Sequence, residues 1–225
     1  MGTSKKRLKH KVKINSDFSD YDDRIIGLYN WYFRNVFKKN NVVLINTFKN
    51  ASTFYTNLCI SNDWQRIYFS EINFDNDIIV GFVSDPTLRY GKGILEDILN
   101  ADKLGLVNYV KKFISDMHKH FILIQSFHTL SAIQILGNLN NKIIWIPIDK
   151  DIDSYKIFND ICIENNISNK IPEDIEGNVA SLQKKQLQIS ISKSIPSENL
   201  FLNLCYAYEL NIFLQAKKKY QNQTL

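Results

Sequence analysis

Residues 43–59 read VLINTFKNASTFYTNLC: an apolar β-branched run, a polar turn at Asn46 and Thr47, then apolar residues at helical spacing. A second stretch, ILIQSFHTLSAIQILGN at residues 122–138, repeats that order with similar residues in similar places. Each is followed by another apolar run, RIYFS at 66–70 and KIIWIPI at 142–148. Recurring strand–helix–strand units predict right-handed crossovers, with strands side by side and helices packed on the sheet. The expected class is therefore α/β: a three-layer parallel sheet with flanking helices, Rossmann- or flavodoxin-like.

Outward from these units, IIGLYNWYFRNVF at 25–37 predicts an amphipathic helix with Arg34, Lys38 and Lys39 near its end, where the helix dipole favours cations. It leads into the 43–59 unit, so the chain opens helix, strand, helix, strand. Gly81, Pro86, Gly91 and Gly93 punctuate residues 75–93 and predict a strand breaking into a long loop. Residues 94–117 predict a helix broken near Gly105. A third strand at 121–127 precedes a short helix at 130–139 with Gly137 as its C-cap. The fourth strand spans 142–148, a helix 154–166, a loop 170–178 and a last helix 198–219. This divides the chain into a basic N-terminal extension (1–20), the α/β domain (21–192) and a C-terminal helical extension (193–225).

Composition is that of a globular protein: 225 residues, 44% hydrophobic and 23% charged. Lys, Asn and Ile are abundant while Arg, Gly and Pro are scarce, which reflects an AT-rich coding sequence rather than a fold. Cys59, Cys162 and Cys205 lie far apart in apolar surroundings without a CxxC pair. They read as buried, reduced thiols and not as a zinc site or disulfide framework. No apolar run reaches the length of a membrane span, and the N-terminus has neither a signal-peptide core nor the Arg-rich amphipathic character of an import presequence. The net charge is +5, and its distribution is uneven. Residues 1–13 carry Lys5, Lys6, Arg7, Lys9, Lys11 and Lys13 with no acid, and Lys217, Lys218 and Lys219 cluster near the other end. Basic arms on a nearly neutral core point to a polyanionic partner.

Chemistry in an open α/β sheet gathers beyond the carboxyl ends of its strands. Asn46, Thr47, Gln125, Ser126, His128, Asp149, Asp151 and Asp153 are expected at that edge. Neither GxGxxG, a P-loop nor a GxSxG elbow is present, which argues against the common nucleotide sites and hydrolase chemistry. In KIIWIPIDKDID, residues 142–153, an apolar strand runs into three alternating carboxylates. Primase and topoisomerase (TOPRIM) domains hold Mg²⁺ with a Glu after one strand and Asp-x-Asp after another. Here DKD at 149–151 resembles the second element, but Gln125 and Ser126 stand in place of the first, and only 24 residues separate Gln125 from Asp149. A degenerate TOPRIM- or primase-like metal enzyme is thus the alternative to a solvated strand exit. His118, His120 and His128 have no Cys close by and carry no catalytic assignment; Trp31, Trp64 and Trp145 read as core or partly buried aromatics.

The order of elements resembles the S-two family of small ribosomal subunit proteins, of the bacterial and organellar type. The family's "ILFVGTK" strand is matched by NVVLINTFK (41–49), its "GGTLTN" segment by IVGFVSDPTLRYG (79–91), and its "PDLLIVID" strand with "AIxEAxxL" helix by HFILIQSFHTLSAIQILGNL (120–139). Its "IPVIAIVDTNxDP" strand corresponds to KIIWIPIDKDID, and its "IPGNDD" loop to KIPEDIEGNVAS (170–181). The resemblance runs over residues 25–190 in order. It departs from the family where the glycine pair is reduced to Gly81, where Pro147 is displaced, and where a segment is inserted between Asp153 and Pro172. The family's N-terminal RNA-contacting motif is not recognisable. The resemblance implies a structural, non-enzymatic constituent of the small ribosomal subunit with no cofactor or metal, whose partners are small-subunit rRNA and neighbouring ribosomal proteins. It implies a mitochondrial ribosome first, with plastid or bacterial cytoplasm as alternatives, and Asp149 as the aspartate of the family's strand-exit turn. The phosphate contacts it suggests are Lys5, Lys6, Arg7, Lys9, Lys11 and Lys13, then Arg89 and Lys92 in the expected glycine loop, and Lys184 and Lys185.

Overall fold

The computed structural model describes residues 23–47, 51–119, 126, 129–171 and 206–221. Helix α1 (Asp23–Tyr32) is shorter than expected, because Val36 and Phe37 leave it to form a strand. That strand, β1 (Val36–Lys39), pairs antiparallel with β2 (Val42–Ile45) through a two-residue Asn40–Asn41 turn. Asn40 sits at φ 53, a left-handed conformation that asparagine tolerates better than most residues. Helix α2 (Ser52–Ser61) follows, then β3 (Gln65–Ile67), a short 3₁₀ turn (Phe69–Glu71) and β4 (Ile78–Ser84).

The segment expected to be a long loop is instead helix α3 (Pro86–Asp102). Its start is well specified: Asp85 accepts hydrogen bonds from the backbone N–H of Thr87 (2.8 Å) and Leu88 (3.1 Å), and Pro86 occupies the first turn, where its missing N–H costs nothing. Gly91 and Gly93 each cost the helix about 1 kcal/mol relative to alanine. Burial of Tyr90, Ile94, Leu95 and Ile98 on the same helix more than offsets that. The break near Gly105 occurs as the sequence suggests, with φ +70 there, before α4 (Val107–Lys119). The strand expected at 121–127 lies outside the described residues apart from Ser126. Helix α5 (Ala132–Leu136) ends at Gly137, φ 53, in its expected C-cap role and runs into a second 3₁₀ turn (Gly137–Lys142). Strand β5 (Ile143–Ile148), α6 (Ser154–Glu164) and α7 (Ala207–Gln221) complete the described chain.

The strand order is β3-β1-β2-β4-β5. Among the described residues β2–β4 and β4–β5 pair in parallel and β1 alone runs against the other strands, pairing antiparallel on both sides, so the sheet is open and mixed rather than parallel throughout. The correction follows from β1, whose first two residues, Val36 and Phe37, continue the helical periodicity of 25–37.

Alternation along the strands sends side chains to two core clusters. Val43, Ile45, Ile79, Val83, Ile143 and Trp145 meet α1, the Phe69–Glu71 turn, α5 and α7 on one side. Val42, Leu44, Val80, Phe82 and Ile146 meet α2 and α6 on the other. Cys59 and Cys162 are free thiols buried in the second cluster; burial pushes the Cys162 thiol up to about 11. Gly81 lies directly opposite Trp145 in the β4–β5 ladder, and a Cβ there would stand 2.7 Å from Trp145 Cζ3. The indole therefore occupies the space a side chain would need. Trp64 and Trp145 are buried as expected, whereas Trp31 is 57% exposed. Helix α7 contributes Phe213 and Ala216 to the first cluster and packs on β5, β4 and α5, joining the C-terminal helix to this sheet. Among the described residues no helix is long and apolar enough to cross a membrane.

Candidate functional site

The carboxyl ends of β2, β4 and β5 form one edge, and the structure gives its residues specific tasks. Asn46, 2% exposed, donates through Nδ2 to the Ser52 carbonyl (2.7 Å) and to Thr56 Oγ1 (2.8 Å), tying β2 to the start of α2. Thr47 Oγ1 donates to the Phe82 carbonyl at 3.1 Å, stitching β2 to β4. Ser126 Oγ donates to Asp97 Oδ2 at 2.5 Å. Gln125 and His128 lie outside the described residues.

The three acids at the exit of β5 do not converge. Asp149 Oδ2 accepts from Lys217 Nζ at 2.7 Å, and its Oδ1 accepts the Asp151 N–H at 3.1 Å. The Lys217 hydrogen bond holds the Asp149 carboxyl below the ordinary aspartate range, against the opposing effect of partial burial. Asp153 caps α6, accepting from the Lys156 N–H at 2.9 Å, while Asp151 is exposed. Among the described residues no group of three or more His, Cys, Asp or Glu is gathered as metal ligands.

Arg89 requires a correction. The sequence suggested a phosphate contact in a glycine loop, but Arg89 sits in the first turns of α3 with only 2% of its surface exposed. Its guanidinium donates to both carboxylate oxygens of Glu209 on α7 (2.6 and 3.1 Å) and to the carbonyls of Thr129 (2.9 Å) and Leu130 (3.1 Å). The Tyr206 ring lies 5.1 Å from the Arg89 Cζ. The hydroxyls of Tyr206 and Tyr32 donate to the Thr129 and Leu130 carbonyls, and burial raises both phenols so that they remain protonated donors. Arg89 is thus an internal clamp between α3, α7 and the entry to α5. Lys92, three residues on, is exposed on α3. Lys5, Lys6, Arg7, Lys9, Lys11, Lys13, Lys184 and Lys185 lie outside the described residues.

Sequence reading passed over a cavity of about 360 Å³ at the other edge of the sheet, lined by Asn30, Arg34, Arg66, Ile67, Tyr68 and Glu71. The Arg66 Nε and Nη2 both donate to the Arg34 carbonyl (2.9 and 2.6 Å), and Nη2 also reaches Asn35 Oδ1 (3.3 Å). The guanidinium is therefore fixed on one side, and among the described residues its Nη1 has no acceptor. Glu71 is held through Oε2 by the Tyr68 N–H at 2.6 Å, and Tyr68 is 55% exposed. The signal that finds this site is the alternation Arg66-Ile67-Tyr68 at the end of the edge strand β3, where extended backbone brings a cation and an aromatic ring to one side. No protein-family model, curated protein or solved structure matches this chain.

Proposed function

We propose that this protein is a non-catalytic constituent of the small ribosomal subunit, a divergent protein of the S-two type serving a mitochondrial ribosome. On this reading its body is a three-layer Rossmann- or flavodoxin-like unit built on the parallel β2-β4-β5 block. Its partners are small-subunit rRNA and neighbouring ribosomal proteins.

The observation that carries the reading is the segregation of charge. Cations gather in residues 1–13, with six basic side chains and no acid, while two of the three acids at the exit of β5, Asp149 and Asp153, hold the fold together. Asp149 ties β5 to α7, and Asp153 starts α6. A TOPRIM-like enzyme would instead need Asp149 as a metal ligand, yet Lys217 Nζ already lies 2.7 Å from its Oδ2. A folded body with a basic arm that contains no acid is suited to binding phosphates by position and shape rather than by reading bases. Lys92, Lys184 and Lys185 join the arm as proposed contacts; Arg89 does not.

Replacing the six cations of residues 1–13 by glutamine tests this in rRNA binding across a salt series. Every phosphate that is no longer neutralised should lower the slope of log affinity against log salt by about 0.7–0.9. An unchanged affinity and slope would show the arm to be merely solvated.

A further inference from the structure

The cavity lined by Arg66, Tyr68 and Glu71 is chemically distinct from the carboxyl edge of the sheet. It presents a positioned donor, a positioned acceptor and an aromatic surface within one concavity. Arg66 is pinned by two hydrogen bonds to a single carbonyl, which aims its remaining Nη1 with little freedom left to lose. Glu71 is oriented by the Tyr68 N–H through one oxygen, and among the described residues its Oε1 has no donor. Arg66 and Glu71 line one cavity without forming a salt bridge to each other, so each keeps a hydrogen-bonding direction for a third party. The Tyr68 ring is half exposed beside them.

A ligand matching this set must be flat, must offer acceptors to a guanidinium and must offer donors to a carboxylate. Guanine meets all three conditions: O6 and N7 accept from arginine, while N1–H and N2–H donate to a carboxylate. Adenine lacks the paired donors, and the pyrimidines offer less ring to stack. A cavity of about 360 Å³ is at the small end of the range for small-molecule sites and suits a single nucleotide. RNA-binding proteins commonly take up splayed bases in this way, by stacking on an aromatic or guanidinium plane and bonding to the base edge. We propose that the cavity binds one unstacked guanine of single-stranded RNA, with Tyr68 stacking, Glu71 reading N1–H and N2–H, and Arg66 Nη1 donating to O6. The site rests on the proposed RNA-binding function, and it adds base discrimination that the basic arm does not supply.

The test uses the full chain and two end-labelled pentamers, UUGUU and UUUUU, in fluorescence anisotropy. The wild type should bind UUGUU more tightly. Tyr68→Ala and Glu71→Gln should each cut that preference by about fivefold or more, the range expected for loss of one stacked base. Tyr68→Phe should keep it, and Glu71→Gln retains an oxygen for the Tyr68 N–H, so its loss of preference is not a loss of fold. Neutralising the basic arm should weaken both pentamers while leaving the guanine preference intact. Equal binding of the two pentamers by the wild type, or a preference indifferent to Tyr68→Ala and Glu71→Gln, would overturn the site while leaving the RNA-binding function standing. Failure to bind either pentamer at low salt would overturn both. Displacement of UUGUU by GMP at concentrations equal to those of the pentamer itself would assign the cavity to free nucleotide and overturn its role in RNA.

Discussion

Removal of either partner of the Arg89–Glu209 pair should be among the most damaging single substitutions in this protein. Both side chains are 2% exposed, and the guanidinium makes two hydrogen bonds to the carboxylate at 2.6 and 3.1 Å. Glu209→Gln leaves a buried guanidinium with only the Thr129 and Leu130 carbonyls and a neutral amide. A buried pair broken from one side costs about 3–5 kcal/mol, and the carbonyls place Glu209→Gln near the lower figure. Arg89→Met leaves a buried carboxylate and also deprives the two carbonyls of a shared donor, which adds about 1–3 kcal/mol. The double variant Arg89→Met/Glu209→Gln removes both charges together. It should therefore be more stable than the sum of the single effects implies, by about 2 kcal/mol or more. Urea unfolding followed by circular dichroism measures all four proteins. Because Arg89 lies on α3 and Glu209 on α7, limited proteolysis should also release the C-terminal helix faster from each single variant than from the double one. Additivity of the two single effects within about 0.5 kcal/mol would refute the clamp.

Two further outcomes follow from the same geometry. Gly81→Ala places a Cβ 2.7 Å from Trp145 Cζ3 and 3.2 Å from Ile143 Cγ2, an overpacking that should cost about 1–3 kcal/mol and lower the urea midpoint without changing the slope. The Asp149–Lys217 pair should stabilise the fold above the ordinary aspartate pKa and lose its contribution as pH falls through the depressed folded value, so Asp149→Asn should be less stable than the wild type at pH 7 and converge with it in acid, as read from melting temperature against pH.

Much of the body was legible because local chemistry agreed with the fold. The runs at 42–45, 78–84 and 143–148 are strands, Gly137 ends α5, Gly105 parts α3 from α4, and 154–164 is a helix. Two misreadings came from signals that competed locally. The first two residues of β1 continue the helical spacing of α1, and only the pairing of Val36 with Ile45 and Ile67 shows that they belong to the sheet. In α3 the Pro and Gly residues suggested a loop, although Asp85-Pro86 is itself a helix-start signal. The burial of Arg89 was not legible, since its partner stands 120 residues later and nothing near position 89 announces it. The cavity at Arg66 and Glu71 likewise depends on β3 meeting the end of α1, a contact that no local pattern encodes.

The proposed association with a small ribosomal subunit is open to a direct experiment. Sedimentation of a cleared organelle lysate through a sucrose gradient at moderate salt, with the tagged protein followed before and after RNase, tests it most directly. A ribosomal constituent comigrates with the small subunit and loses that peak on RNase treatment. A protein that remains at the top of the gradient in both cases would contradict the proposed association.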